Sequence, residues 1–209
     1  MTFDDRPVLI GGGIRLEALD RRHVDGLLAA ASADPRLYRW SSVPQTADET
    51  ARYVNTAIAW REAGTAVPFA ILRESDGAVL GSTRFWKIER WSWPEDDLAS
   101  KTRALDVAEI GYTWLSAGAV RTAANTQTKS LMLTHAFEVW RALRISFHTD
   151  VRNERSRAAI ERIGGRFEGV LRAHRIAADA TPRDSARYSI LAGEWPDVKD
   201  RLSKLISRS

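Results

Sequence analysis

Asp76-Gly77 stands between two apolar runs, residues 67–72 and 79–86, and this arrangement restricts the fold more than any other feature of the chain. Glycine supplies the positive φ of a tight turn, so the two runs read as an antiparallel hairpin. A polar segment bearing Trp91 and Trp93, residues 89–103, reads as a long hairpin loop leading into a strand over 105–115. Beyond it the order becomes helix, strand, helix, strand. Leu133, Ala136, Phe137 and Trp140 fall at helical spacing. Residues 145–150 read as a strand, and 153–163 as a helix with Asn153 at its N-cap and Gly164-Gly165 at its end. Strands are expected at 166–176 and 186–191, then an amphipathic helical tail at 194–209. Upstream, residues 14–19 alternate as a first strand, and helices are expected at 21–33 and 47–63. Gly11-Gly12-Gly13 lacks the Lys-Ser/Thr of a phosphate loop and reads as a flexible lead-in. Hairpins followed by helix–strand alternation imply an α+β fold, a mixed and mostly antiparallel central sheet flanked by helices. The expectation is a single domain over residues 1–209, with its core at about 14–191.

Composition excludes several chemistries. The chain has no cysteine, which removes disulfides, thiolate metal ligands and cysteine nucleophiles, and is compatible with the cytoplasm. Its four histidines lack helical or hairpin pairing, so no metal site is expected. No apolar run approaches the ~20 residues that cross a bilayer. The start, Met1-Thr2-Phe3-Asp4-Asp5, is acidic and unlike a secretory signal. A net charge of +4, scattered along the chain, leaves no footprint for nucleic acid. A basic mouth for a polyanionic cofactor accounts for it equally well.

Three segments in order carry a resemblance. They are Gly81-Ser82-Thr83-Arg84, then Glu109-Ile110-Gly111-Tyr112-Thr113-Trp114-Leu115 running into residues 121–129, then Asp150-Val151-Arg152-Asn153-Glu154-Arg155-Ser156 through Ile160-Glu161-Arg162-Ile163-Gly164. Together they resemble the GNAT superfamily of N-acetyltransferases, in its RimJ/RimL-like branch, over most of the chain. The resemblance implies acetyl-CoA as co-substrate, no metal, and transfer to a primary amine such as a protein or peptide N-terminus. A non-catalytic acyl-CoA-binding module and a small-molecule or antibiotic N-acetyltransferase remain open as alternatives.

The family's cofactor device is a loop of backbone N–H groups opening a helix, which binds pyrophosphate. By resemblance the loop is residues 118–123, and Arg121, Thr122, Ala123, Ala124, Asn125 and Thr126 belong to the cofactor site, joined by Trp114, Leu115 and Asn153. The chain departs from the family here, because Arg121 stands where a glycine is usual and forfeits its freedom at φ > 0. Glu109 occupies a general-base position, where partial burial would raise its pKa; Glu168 and His174 are weaker candidates. Many members carry a tyrosine acid where this chain has Ile160, so Ser156 takes that role by resemblance. Trp86 and Trp93 either wall the substrate, pack their loop down, or form a contact between two copies in a homodimer. His135 reads as a packing residue, and His148 is given no role.

Overall fold

The computed structural model describes residues 5–208, so the acidic first four residues lie outside the described part. Strand β1 (Leu9–Gly11) pairs with β2 (Ile14–Ala18) through a two-residue turn, with φ of 60° at Gly12 and 78° at Gly13. The glycine run is therefore a tight hairpin turn and not a flexible lead-in, because positive φ at both central residues matches the twist of the strands it joins. Helices α1 (Val24–Ser32) and α2 (Ala47–Glu62) follow. Thr46 and Glu49 form a reciprocal capping box that fixes where α2 begins.

The Asp76-Gly77 hairpin joins β3 (Ala66–Arg73) to β4 (Val79–Glu89), and β5 (Val107–Leu115) continues the antiparallel meander. The remaining elements are α3 (Ala124–Thr134), β6 (Arg144–Asp150), α4 (Glu154–Arg162), β7 (Arg166–Ile176), β8 (Pro182–Leu191) and α5 (Trp195–Ile206). A π-helical turn, His135–Val139, extends α3 and carries the lower half of the apolar stripe. The loop between β4 and β5 is pinned by Asp106, whose carboxylate accepts from the Trp91 backbone, the Trp93 indole and Arg103.

All eight strands form one sheet in the order β1-β2-β3-β4-β5-β6-β8-β7. One face packs against α1 and α2 through Leu27, Val54, Ala57 and Leu72. The other carries the larger core, with Met132 and Leu133 from α3, Ile160 from α4, and Val198 and Leu202 from α5.

Two irregularities at the sheet centre create the site. The parallel pairing of β5 with β6 covers Val107 to Glu109 against Arg144 to Ser146 and then stops. Past that point β5 stays with β4 while β6 stays with β8, so the two halves of the sheet diverge. The second irregularity is a bulge in β5. Arg84 faces Gly111 and Ser82 faces Trp114, so one residue of β4 opposes two of β5, and Tyr112 takes φ 53°. A bulge twists its strand locally and re-aims the side chains beside it. Gly81 lets β4 follow, because a Cβ there would sit 2.1 Å from the Trp114 carbonyl oxygen.

Candidate active site

The divergence of β5 and β6 opens a slot of about 410 Å³. Ile110, Gly111, Thr113, Trp114 and Leu115 line it from β5, and Phe147, His148, Asn153, Ser156 and Ile160 from β6 and the start of α4. The loop before α3 adds Val120, Arg121, Thr122 and Asn125, and α3 adds Lys129. Among the described lining residues there is no aspartate or glutamate, whereas Arg121, Lys129, Arg155 and Arg162 are all basic. A cleft largely apolar along its length and furnished only with cationic side chains fits a polyanion attached to an apolar arm.

Arg121 takes φ 64°. The loop thus keeps the left-handed backbone expected to need a glycine, at a cost of about 1–2 kcal/mol for a residue with a Cβ. Thr122 spends its hydroxyl on the loop, donating to the Ala119 carbonyl at 2.8 Å and accepting from the Ala124 amide at 3.2 Å. Ala123 and Ala124 open α3 without lining the slot. Thr126 is buried and accepts from the Arg162 guanidinium at 2.7 Å, which ties α4 to α3. Asn153 caps α4, its side-chain oxygen accepting from the Ser156 amide at 3.1 Å. That bond leaves the Asn153 amide group for another partner.

Lys129 was not among the candidates read from the sequence. It is buried, and its Nζ donates to Thr113 Oγ1 at 2.6 Å, while Thr113 and Thr83 share a hydroxyl contact of 2.7 Å. No carboxylate lies within ion-pair reach of it among the described residues. Burial alone pushes its pKa down to about 7. A lysine at helical spacing gives no sequence sign that it points inward, because only the packing of α3 under the β5 bulge turns it there.

A second cavity of about 190 Å³ opens on the α2 side of the sheet and meets the slot at Ser41, Gly111, Thr113, Trp114, His148 and Ser156. Glu109 lines this second cavity and is 3% exposed. Nδ1 of His148 lies 2.8 Å from its Oε2, off the ideal hydrogen-bond axis, with Arg175 at 3.7 Å and Lys87 at 4.0 Å. Burial raises the pKa of Glu109, but His148, the Trp86 indole and Arg175 outweigh it and hold the carboxyl below its ordinary range. This corrects the expected rise: the burial is real, and the hydrogen-bond donors and charge around it win. Glu109 is therefore ionised at neutral pH and a poor proton acceptor.

His148 is the residue sequence reasoning missed. Strand alternation sends it to the face opposite the buried Phe147, which in an edge hairpin means solvent. Here the Glu109 carboxylate and the His174 ring lie against it, and the His148 side chain is only 5% exposed. Its Nε2 has no hydrogen-bond partner. The His174 ring lies 5.2 Å away, and burial with Arg175, His148 and Lys87 pushes its pKa down to about 4. Glu168 sits elsewhere, paired with Arg144, Arg187 and the Ser189 hydroxyl, and Arg144 holds its carboxyl well below the usual range. Neither lines the slot or the second cavity.

Trp86 stands behind Glu109, stacked on Trp60 at 5.9 Å and covered by the Arg175 guanidinium at 4.3 Å. Trp93 lines neither cavity; its indole bonds Asp106 and its face carries Arg103, so it fastens the loop. Over the junction, Tyr38 donates its hydroxyl to the Leu115 carbonyl at 2.9 Å, and Arg155 donates to the Leu37 carbonyl at 3.0 Å. A loop from the far end of the sheet thereby roofs the site.

The model of the acetyltransferase (GNAT) domain matches residues 14–166. No curated protein is similar in sequence at a significant level. Among solved structures, a T. thermophilus protein classed as an acetyltransferase is 34% identical, with 98% of each chain covered and a TM-score of 0.76. A GCN5-related N-acetyltransferase from Brucella melitensis is 27% identical, over 96% of this chain and 86% of that one, with a TM-score of 0.78. RimJ of Mycobacterium smegmatis, solved with CoA-disulfide, shares the fold at 22% identity, over 95% of this chain and 92% of that one, with a TM-score of 0.75. A split mixed sheet with an amide-rich helix start beside the split, matched over most of its length by this domain, places the chain in the GNAT family of N-acetyltransferases, with RimJ-like structures among those that share its fold.

Proposed function

We propose that the chain transfers an acetyl group from acetyl-CoA to a primary amine, the cofactor lying in the slot and the amine entering by the second cavity. The observation that carries this reading is the junction of the two cavities at Ser41, Gly111, Thr113, Trp114, His148 and Ser156. The all-cationic charge of the slot's ionisable lining fits the phosphates of CoA, and its apolar stretch fits the pantetheine arm. When bound, acetyl-CoA supplies an activated thioester.

The chain's own residues then have three tasks. An acceptor arriving as an ammonium must lose a proton before it can attack. We assign that proton to Nε2 of His148, with Glu109 as a positioning residue: an ionised carboxylate beside Nδ1 favours a proton there and leaves Nε2 to accept. The bulged stretch of β5, freed from β6, directs backbone N–H groups at the place where negative charge develops. Ser156, on the first turn of α4, gives its hydroxyl proton to the departing sulfur and takes in exchange the second proton that the attacking nitrogen sheds as the amide forms. Arg121 and Arg162 hold the anionic end, with Asn125 and Asn153 as amide donors. The acceptor class placed first is the α-amine of a protein or peptide, the substrate of the branch the sequence resembles.

Incubating the purified protein with acetyl-CoA and a panel of peptides, polyamines and amino sugars is expected to release free CoA with at least one amine and to form the corresponding amide. Tight CoA binding with no turnover across the panel would replace this reading with that of a CoA-binding module.

A further inference from the structure

The acceptor cavity has an excess of positive charge that the transfer of a simple amine does not explain. Its ionisable lining is Glu109, His148, Arg175 and Arg183, with the phenols of Tyr53 and Tyr112. The one carboxylate is already shared by His148, Arg175 and Lys87. Among the described residues Arg183 has no carboxylate within ion-pair distance; its Nε donates to Ser185 Oγ at 3.0 Å. The nearby Asp150 is committed to Arg152, which contacts it at 2.8 Å. Behind the cavity Arg84 is buried in a cage of Tyr53, Trp60 and Tyr112, its guanidinium 4.2 Å from the Tyr112 ring, again without a carboxylate among the described residues. An acceptor ammonium alone entering this field meets net repulsion.

Resting on the acetyl-transfer reading, we propose that the acceptor carries an anionic group, carboxylate or phosphate, near its reactive amine, and that Arg183 receives this group with Arg175 beside it. A guanidinium offers a planar fork of donors matched to either oxyanion. The Arg183 fork is not used up by protein partners and faces the cavity from β8, while Glu109 and His148 face it from β5 and β6. Seating the anion at Arg183 leaves the amine toward the junction, where Ser156 and His148 border both cavities. The same cations that bind the anion also disfavour the ammonium form of the amine, which helps it give up its proton. Selectivity then has a repulsive part as well as an attractive one: an uncompensated ammonium is rejected by the field that accepts an acidic neighbour.

The test compares kcat/KM for three pairs of C-terminally amidated tripeptides: Asp-Ala-Ala with Asn-Ala-Ala, Ala-Asp-Ala with Ala-Asn-Ala, and phosphoserine-Ala-Ala with Ser-Ala-Ala. At least one acidic member is expected to exceed its neutral partner by about tenfold or more, mainly through KM. The aspartate and phosphoserine pairs separate carboxylate from phosphate. Arg183→Gln is expected to reduce that ratio to near one, the neutral peptide keeping its rate or gaining as the repulsion is relieved, and Arg183→Lys to restore part of the ratio. Ratios near one in every pair, or an Arg183→Gln loss equal for acidic and neutral members, overturn the inference and leave acetyl transfer standing. No CoA release with any peptide, neutral ones included, overturns the peptide-acceptor reading beneath it and this inference together.

Discussion

Replacing His148 by glutamine is expected to lower kcat/KM by about 10²–10⁴-fold while CoA affinity changes by less than about threefold. His148 borders both cavities, whereas Glu109 borders only the acceptor side. Among the ionisable groups lining the cavities, its Nε2 is unpartnered at the place where an acceptor proton must leave. Glu109 lies against Nδ1 and is held ionised by His148, the Trp86 indole and Arg175. Glu109→Gln should therefore cost less, about 10–100-fold, the size usual for a group that orients another. The double variant should be little worse than His148→Gln alone, because residues acting as a unit do not lose rate additively. Steady-state kinetics with calorimetric CoA titration decides it. Full activity in His148→Gln, or a larger loss in Glu109→Gln, would return the base role to the carboxylate.

The second large effect is on stability. Lys129→Met is expected to stabilise the cofactor-free protein by about 1–4 kcal/mol at pH 7, the range seen when a buried charge gives way to an apolar side chain. The sign follows from the folded pKa of about 7 against the ordinary 10.5. Below pH 7 the amine is charged in both folded and unfolded states, and the fold bears the full cost of burying it. Between pH 7 and 10.5 the unfolded chain holds the proton that the folded one has lost, so stability climbs with pH. Above 10.5 both are neutral and the cost is gone. The whole span is worth about 5 kcal/mol at roughly 1.36 kcal/mol per unit. Urea titrations from about pH 6 to 9 should show the wild-type rise and its absence in Lys129→Met. Parallel pH profiles for the two proteins would show that the lysine is not buried as described.

What the sequence disclosed and what it hid divide along a physical line. Local signals were legible: the Asp76-Gly77 turn and the Asn153 cap of α4 depend on residues within a few positions of one another. The β1 strand was missed because Leu9–Gly11 is too short to carry a period, and the glycines after it were read as slack. The resemblance located the slot, since it rests on ordered motifs. The surroundings of Glu109 were harder. Glu109 and His148 meet only because β5 and β6 pair in parallel across the helix between them, and no alternation pattern shows that the Glu109 carboxylate and the His174 ring will bury His148. The pKa of Glu109 was misjudged for the same reason: burial was foreseeable from the strand, but Lys87, His148 and Arg175 were not foreseeable as its neighbours. Arg121 shows the reverse case, where a residue that looked disqualifying adopts the required backbone.

A crystal structure of the protein grown with CoA tests the central claim most directly. The account predicts density running between β5 and β6, its phosphates against Arg121 and the first turn of α3, and its sulfur beside Ser156 and His148. CoA bound on any other surface, or β5 and β6 closed together with the slot filled by side chains, would contradict it.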